Sequence, residues 1–481
     1  MRWIDLAVIA AYLVGITWFG SRFRSTQNSL KDYFLGGKTA PWWAIALSIV
    51  SAETSTLTVI GTPSIAFQGN FGFLQLVMGY LLARVVISTL FLPAYFRGEM
   101  YTAYEFMRIR FGPRIRRWTA GLFLILRALA EGVRVFAISI VISIVLGTGE
   151  MTSIAVIVIL TLIYTYEGGM TAVIWTDVAQ MFLYAAGAAA SFFALIHQIP
   201  GGLAHVIDLA APLGKFQVFD FNVGPAFFTR AYSFWAGILG GCFLTTASHG
   251  TEQLMVQRLL AAPNERESRR ALYASWLVIF ALFSLFLLIG VCLFTLYHDQ
   301  QLEPPKVMDR IYPLFVWTHL PPVLAGLIMA AILAAAMSNL SAALNSLAST
   351  TVMDFLRPLA KSTSESTWLA RARWATIAWG AVLFGVALLA RNWGGVLQAG
   401  LSIASILYGA LLGVFLLGLL TKRVGEIAAM CGMTASLLLM LYIGLRTPIA
   451  FTWYVLIGTA ATCAVGLLVS LFLNEETPLA S

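Results

Sequence analysis

Charge is scarce in this chain: Asp, Glu, Lys and Arg supply 11% of its 481 residues, where a soluble domain carries about 25%. Apolar residues rise to 59% and mean hydropathy to +0.84. This excludes a soluble enzyme and a nucleic-acid-binding module, and leaves the net charge of +8 to be explained by membrane topology. Cysteine is equally sparse. Cys242, Cys292, Cys431 and Cys463 all lie in apolar runs, without the spacing of a disulfide framework or a zinc site, and read as small buried packing residues. The five histidines form no ligand pattern. With no nucleophile–base pair and no metal constellation, the chain does not read as an enzyme and implies no cofactor. No polar stretch is long enough for a separate soluble domain, which disfavours a membrane sensor. No filter-like loop suggests a channel, and no feature demands an obligate protein partner.

What fills the chain is apolar segments. A span needs roughly 20 such residues, and about thirteen segments qualify: Trp3–Ser21, Trp42–Phe67, Phe71–Phe96, Trp118–Gly147, Met151–Tyr166, Ala172–His197, Ala231–Gly250, Leu272–Tyr297, Pro321–Val352, Ala372–Ala390, Gly394–Thr421, Ile427–Leu445 and Phe451–Leu473. The expected fold is an all-α polytopic membrane protein embedded in the lipid bilayer of a plasma membrane, most simply a bacterial cytoplasmic membrane. Leu6–Phe19 imitates a signal peptide, but Asp5 interrupts it and Gly20-Ser21-Arg22 is no small-x-small cleavage site, so it reads as a retained first span. Lys and Arg concentrate in alternate loops, among them Arg108 to Arg117, Arg258 to Arg270 and Arg357 to Arg373. That bias puts the N-terminus outside and the tail Asn474–Ser481 inside. Ile199–Thr229 is the longest outer loop and is expected to form short surface helices.

Ionisable residues inside spans mark function by default. Asp177 lies in Ala172–Phe182, where a carboxylate needs an ion, a proton or a substrate as partner. Arg127, Glu131 and Arg134 are four and three apart and share one helix face. An Arg127–Glu131 pair orients the helix and leaves Arg134 without a partner in its own helix, and such a guanidinium suits a substrate carboxylate. Arg84 pairs with a carboxylate or snorkels. The second span is polar for its depth, from Ser48 through Ser51, Glu53, Thr54, Ser55, Thr56 and Thr58 to Gly61 and Pro63. Discontinuous helices read this way because unwound carbonyls need something to bind; hydroxyls bonded to their own helix are the plainer reading. Ala231–Gly250 also looks interrupted, at Gly237, Gly240, Gly241 and Thr245–Gly250. It lies five spans later, as paired broken helices of two repeats would. A third polar cluster runs from Ala334 to Ser346, with Ser338, Ser341 and Asn345 on one face, suited to a monovalent cation or to tight helix packing.

Five passages together resemble the sodium:solute symporter family, which includes bacterial sodium/proline, sodium/galactose and sodium/sialic acid transporters. They are Tyr33-Phe34-Leu35-Gly36-Gly37-Lys38 with Trp42 through Pro63; Tyr164 through Gln180 with its Trp175-Thr176-Asp177; Gly250 through Arg258; Ile332 through Ser346; and Tyr408 through Leu420. The resemblance implies a five-plus-five inverted-repeat core of the leucine-transporter type. It divides the chain into an extra span and lead-in (1–41), a first repeat (42–200), an outer loop with the second repeat (201–421) and two further spans with a short tail (422–481). It implies a central sodium site formed by the backbone carbonyls of Ser51 and Thr54, the carbonyl of Ala335 and the side chain of Ser338. Asn339 completes it where the family usually carries Ser or Thr. A second sodium would use Asp177 and Ser341, with Ala342 in place of a further serine. Arg134, Glu53, Ser55 and Gln75 match positions around the family's substrate cavity. The function implied is sodium-coupled import of a small solute by alternating access, with Na+ as coupling ion; Arg134 tilts the reading towards a carboxylate-bearing metabolite, with a neutral sugar or a vitamin as the alternative. Rival readings are a proton-coupled transporter of the same fold and a non-transporting membrane sensor.

Overall fold

Backbone N–H and C=O groups cannot stay unpaired in lipid, so long apolar runs must become helices. The structure, a computed structural model, describes residues 2–22, 36–97, 103–164, 170–356 and 365–473, and its regular structure is helical throughout these residues. The lead-in Tyr33-Phe34-Leu35, the run 165–169 and the tail Asn474–Ser481 lie outside the described residues. In chain order the helices are α1 (Trp3–Ser21), α2 (Trp42–Glu53), α3 (Thr56–Gln68), α4 (Leu74–Val86), α5 (Ala103–Arg110), α6 (Pro113–Leu146), α7 (Glu150–Tyr164), α8 (Met170–Gln198) and α9 (Gly202–Ala210). They continue as α10 (Phe234–Thr251), α11 (Gln253–Leu260), α12 (Glu265–Asp299), α13 (Ile311–His319), α14 (Leu324–Thr350), α15 (Glu365–Ala390), α16 (Val396–Leu420), α17 (Glu426–Arg446) and α18 (Tyr454–Ser470). The π turn Ile87–Phe91 carries α4 on to Phe96. Among the described residues seven helices are long and apolar enough to cross a membrane, or eight if the bent pair α2–α3 counts as one span. Shorter apolar helices fall in other predicted segments, Trp3–Ile16 and Trp374–Ala390 among them. The outer loop forms the expected surface helix, α9.

Local chemistry sets the boundaries. Pro113 occupies the first turn of α6, where its missing N–H costs nothing, and Gly147 ends that helix at φ 66°. Asn264 caps α12 by accepting from Glu267 N at 3.0 Å. Three other helix starts are capped from a distance. Asp5, fully buried, accepts at Oδ1 from Val323 N (2.8 Å) and Gly326 N (2.9 Å) at the head of α14, while Arg2 holds its Oδ2 at 2.8 Å. Asp309 Oδ2 accepts from Val396 N at 2.9 Å at the head of α16. Glu426 Oε1 accepts from Arg114 N (2.5 Å) and Ile115 N (2.9 Å) at the head of α6. Each carboxylate meets the positive end of a helix and fills orphan donors there.

The predicted interruption of Ala231–Gly250 is corrected by the structure. α10 runs unbroken through Gly237, Gly240 and Gly241, and the break falls later, at Glu252 (φ −84°, ψ 128°). Those glycines serve packing: a Cβ on Gly241 would sit 2.2 Å from Leu76 O, and one on Gly79 would sit 2.5 Å from Ile238 O. α4 and α10 therefore touch backbone to backbone, as small residues allow in membranes. The cysteine reading is also adjusted, because Cys431 is exposed while Cys292 is buried.

Candidate functional site

The centre of the bundle is the kink between α2 and α3, which bends by 62°. Thr54 N still reaches Val50 O at 2.7 Å, but Thr54 itself leaves helical geometry (φ −85°, ψ 66°) and Ser55 is extended (φ −77°, ψ 175°). α3 restarts with Thr58 N and Val59 N on Ser55 O, at 2.9 and 3.1 Å. Ser55 N and Thr56 N, which a continuous helix would give to the carbonyls of Ser51 and Ala52, make no such bond among the described residues. The hydroxyls of Thr54 and Thr56 beside the kink are buried with no hydrogen-bond partner. Carbonyls and hydroxyls without donors are what a hard cation needs. Ser51, Thr54 and Ser55 are all buried at this point.

Glu53, the last residue of α2, takes Arg84 Nη2 at 2.9 Å and His249 Nε2 at 3.2 Å on its Oε2. Arg84 is fully buried and also donates to Leu272 O (3.0 Å) and Tyr80 O (3.2 Å). The expected Arg84–carboxylate pair is thus present, and Glu53 acts as a tie from the kink to α4 and α10. Gln75, expected at the substrate cavity, spends its amide on backbone: Nε2 donates to Gly72 O (3.1 Å) and Tyr232 O (2.7 Å), and Oε1 accepts from Asp220 N (3.1 Å).

Asp177 has found partners. Its Oδ2 accepts from Ser48 Oγ (2.6 Å) and Arg258 Nη2 (3.0 Å), and Arg258 Nε also donates to Ser48 Oγ at 3.0 Å. Counting Arg258 among exposed loop cations is corrected here, since it is 2% exposed. The bonds to Asp177 among the described residues all fall on Oδ2. Ser341 and Asn339 are half-buried on α14; the side chains of Ala335, Ser338 and Ala342 lie outside the described residues.

The expectation that Arg134 lacks a partner in its own helix is overturned. Glu131 Oε1 accepts from Arg134 Nη1 and also pairs with Arg127 Nη2 at 3.0 Å. Arg127 has a second carboxylate, Glu252 at 2.8 Å, and Glu252 Oε2 accepts from Tyr408 Oη at 2.5 Å. The Glu131 carboxylate thus serves two guanidiniums, while Arg127 is shared with the buried Glu252 at the break between α10 and α11. Arg134 still keeps a buried Nε with no bond. Sequence reasoning missed Glu252, His249 and Arg258 as site residues. The signal for Glu252 was its place directly after the polar run Thr245–Thr251.

Between α3, α8 and α14 the packing leaves a void of about 10 Å³ beside Val59, Tyr184 and Ala331, and Tyr184 Oη donates to Ala331 O at 3.1 Å, one turn from Ala335. Among the described residues no group of three or more His, Cys, Asp or Glu is placed to hold a metal ion.

The profile of the sodium:solute symporter family matches residues 33–436. Sodium-coupled monocarboxylate transporter 1 of Homo sapiens is 29% identical over 430 residues, 88% of this chain and 70% of that protein. The sodium/iodide cotransporter of Homo sapiens is 28% identical over 477 residues, 95% of this chain and 73% of its own length. Among solved structures, a substrate-bound, outward-open Na+-coupled sialic acid symporter superposes with a TM-score of 0.84 at 26% identity, covering 98% of both chains. A nucleobase-cation-symport-1 family transporter in a closed conformation matches at 0.56 and 11% identity, over 91% of this chain and 93% of its own, which shows the fold alone.

Proposed function

The chain belongs to the sodium:solute symporter family, and on that premise we propose that it imports a small carboxylate-bearing solute by alternating access, driven by sodium. It is a membrane transporter and no enzyme, with Na+ as its coupling ion and a small solute as its cargo. One observation carries the mechanism: the 62° kink that leaves the Ser51 and Ala52 carbonyls without helical donors. In this reading sodium binds the carbonyls of Ser51 and Thr54 and, across the bundle, Ala335, Ser338 and Asn339 of α14. It ties α2–α3 to α14 in the outward-facing state. Rocking of a five-plus-five inverted-repeat core separates those helices and frees ion and solute to the inside, where the arginine-rich loops lie. The potential contributes about 2.3 kcal/mol per charge per 100 mV.

Asp177 Oδ1 and Ser341 are the proposed second ion position, with Oδ2 kept for Ser48 and Arg258. Arg134 is the proposed solute anchor. Its unbonded Nε and its shared hold on Glu131 leave it free to turn to a carboxylate. Glu53 and Gln75 then shape the cavity indirectly, as ties rather than contacts, and Ser55 lines it at the kink. A carboxylate cargo is favoured because relatives carry monocarboxylates and sialic acid; the iodide relative shares only the negative charge.

The test is thermal stabilisation of purified protein by monocarboxylates, sialic acid and iodide, each in sodium and in potassium. A carboxylate that stabilises only with sodium supports the reading. Equal stabilisation in potassium sinks sodium coupling and favours the proton-coupled rival. Stabilisation by iodide alone sinks the carboxylate assignment.

A further inference from the structure

A groove of about 710 Å³ opens on the outside of the bundle between α12, α4 and the first residue of α2. Its walls are Trp42, Leu81, Tyr273, Trp276 and Leu277, and Arg266, Arg269 and Arg270 stand at one end. Arg266, Arg270, Tyr273 and Leu277 follow one another by four, three and four residues, so they line one face of α12. Leu277 is 64% exposed, so the wall looks outward to where lipid tails lie. The Tyr273 ring is pinned by its hydroxyl, 2.7 Å from Ser88 Oγ. From Arg270 to Leu277 the helix rises roughly 10 Å, which sets cations at headgroup depth and an apolar wall at acyl depth.

The rim is cationic but only partly neutralised. Glu265 pairs with Arg269, and Glu267 pairs with Arg270 at 2.7 Å. These guanidiniums are 42% and 51% exposed, and such surface pairs hold weakly. Among the described residues Arg266 has no ion-pair partner, and the buried Arg269 Nε has no bond. An uncommitted cation, two weakly committed ones and an apolar slot beneath them are complementary to one class of molecule.

We propose that this groove is a binding site for one anionic phospholipid, its phosphate among Arg266, Arg269 and Arg270 and an acyl chain along Leu81, Trp276 and Leu277. Basic pockets at the ends of membrane helices select such headgroups. Because Trp42 begins the helix that ends at the kink, the lipid joins α2 to α12 and stabilises the folded bundle by binding it.

The experiment uses the full chain purified in detergent, with native mass spectrometry and thermal unfolding. The probes are phosphatidylglycerol, phosphatidylcholine of the same chains, and glycerol phosphate. Phosphatidylglycerol should be retained and should stabilise, with a preference over phosphatidylcholine of about fivefold, the ratio for roughly 1 kcal/mol of added headgroup attraction. Glycerol phosphate should do neither. Arg266→Gln, at an exposed residue without an ion-pair partner among the described residues, should at least halve the preference, and the triple variant Arg266→Gln/Arg269→Gln/Arg270→Gln should abolish it. Equal retention of both lipids by the native protein overturns the site. So does stabilisation by glycerol phosphate alone, which marks a free-anion site. An undiminished preference in Arg266→Gln also overturns it, whether or not the triple variant folds.

Discussion

Asp177→Asn removes a charge while keeping the side chain's shape. Asp177 and Arg258 are 4% and 2% exposed and their charged atoms are 3.0 Å apart. At an effective dielectric of about 20 that separation gives roughly 5 kcal/mol of attraction, much of it offset by desolvation. Removing one partner leaves the other charge buried and unpaired, at a cost of about 3–5 kcal/mol. Asparagine can still accept from Ser48 and Arg258, so Asp177→Asn belongs near 3 and Asp177→Ala near 5 on that scale. Adding Arg258→Gln turns an orphaned charge into a neutral amide pair, and most of the loss should return. Thermal unfolding of native, single and double variants in detergent reads this directly. Sodium-driven uptake into proteoliposomes by the same proteins reads the other half: Oδ1 is the proposed ion ligand, so the double variant should be stable yet need more sodium. A double variant no more stable than Asp177→Asn would refute the Asp177–Arg258 brace. A normal sodium requirement in it would leave Asp177 as a brace alone.

Other expectations follow from the same contacts. Gln75→Ala strips three hydrogen bonds to backbone and should lower stability by about 1–3 kcal/mol while leaving the solute's half-saturation unchanged; a weaker solute affinity at normal stability would contradict this. Burial pushes the Asp309 carboxyl from 3.8 up to about 6, against the lowering by Val396 N–H and Ser64. Between these values the folded protein holds a proton that the unfolded chain has released, so stability should fall as pH rises from about 4 to about 6, by at most about 3 kcal/mol. Asp309→Asn should flatten that slope in unfolding measured across pH. Asp5→Ala leaves the Val323 and Gly326 N–H groups at the head of α14 without their acceptor and removes the Arg2 ion pair, so it should cost about 1–3 kcal/mol in unfolding, with Asp5→Asn costing less.

The long apolar helices and the kink were legible in the sequence because each is local. Hydropathy marks a span, and a run of hydroxyls with Gly61 and Pro63 marks a helix that does not stay regular. The partners were not legible. Glu131 lies within reach of both Arg127 and Arg134 by spacing alone, and only the placement of Glu252 more than a hundred residues later decides how they share it. Arg258 read as a loop cation because positive charge after a span usually is one; it folds back because Asp177 would otherwise be alone in lipid. Gly237 and Gly241 read as an interruption because glycine permits both unwinding and close approach. The backbone of α4 against them selects the second.

The central claim is that sodium binds at the kink and bridges it to α14. Its most direct test is the sodium dependence of uptake by Ser338→Ala in proteoliposomes, with unfolding in potassium as the check on folding. Loss of one oxygen ligand should raise the sodium concentration for half-maximal uptake by about tenfold, the ratio for 1.4 kcal/mol, with stability in potassium unchanged. A folded Ser338→Ala protein with the native sodium dependence would contradict the account.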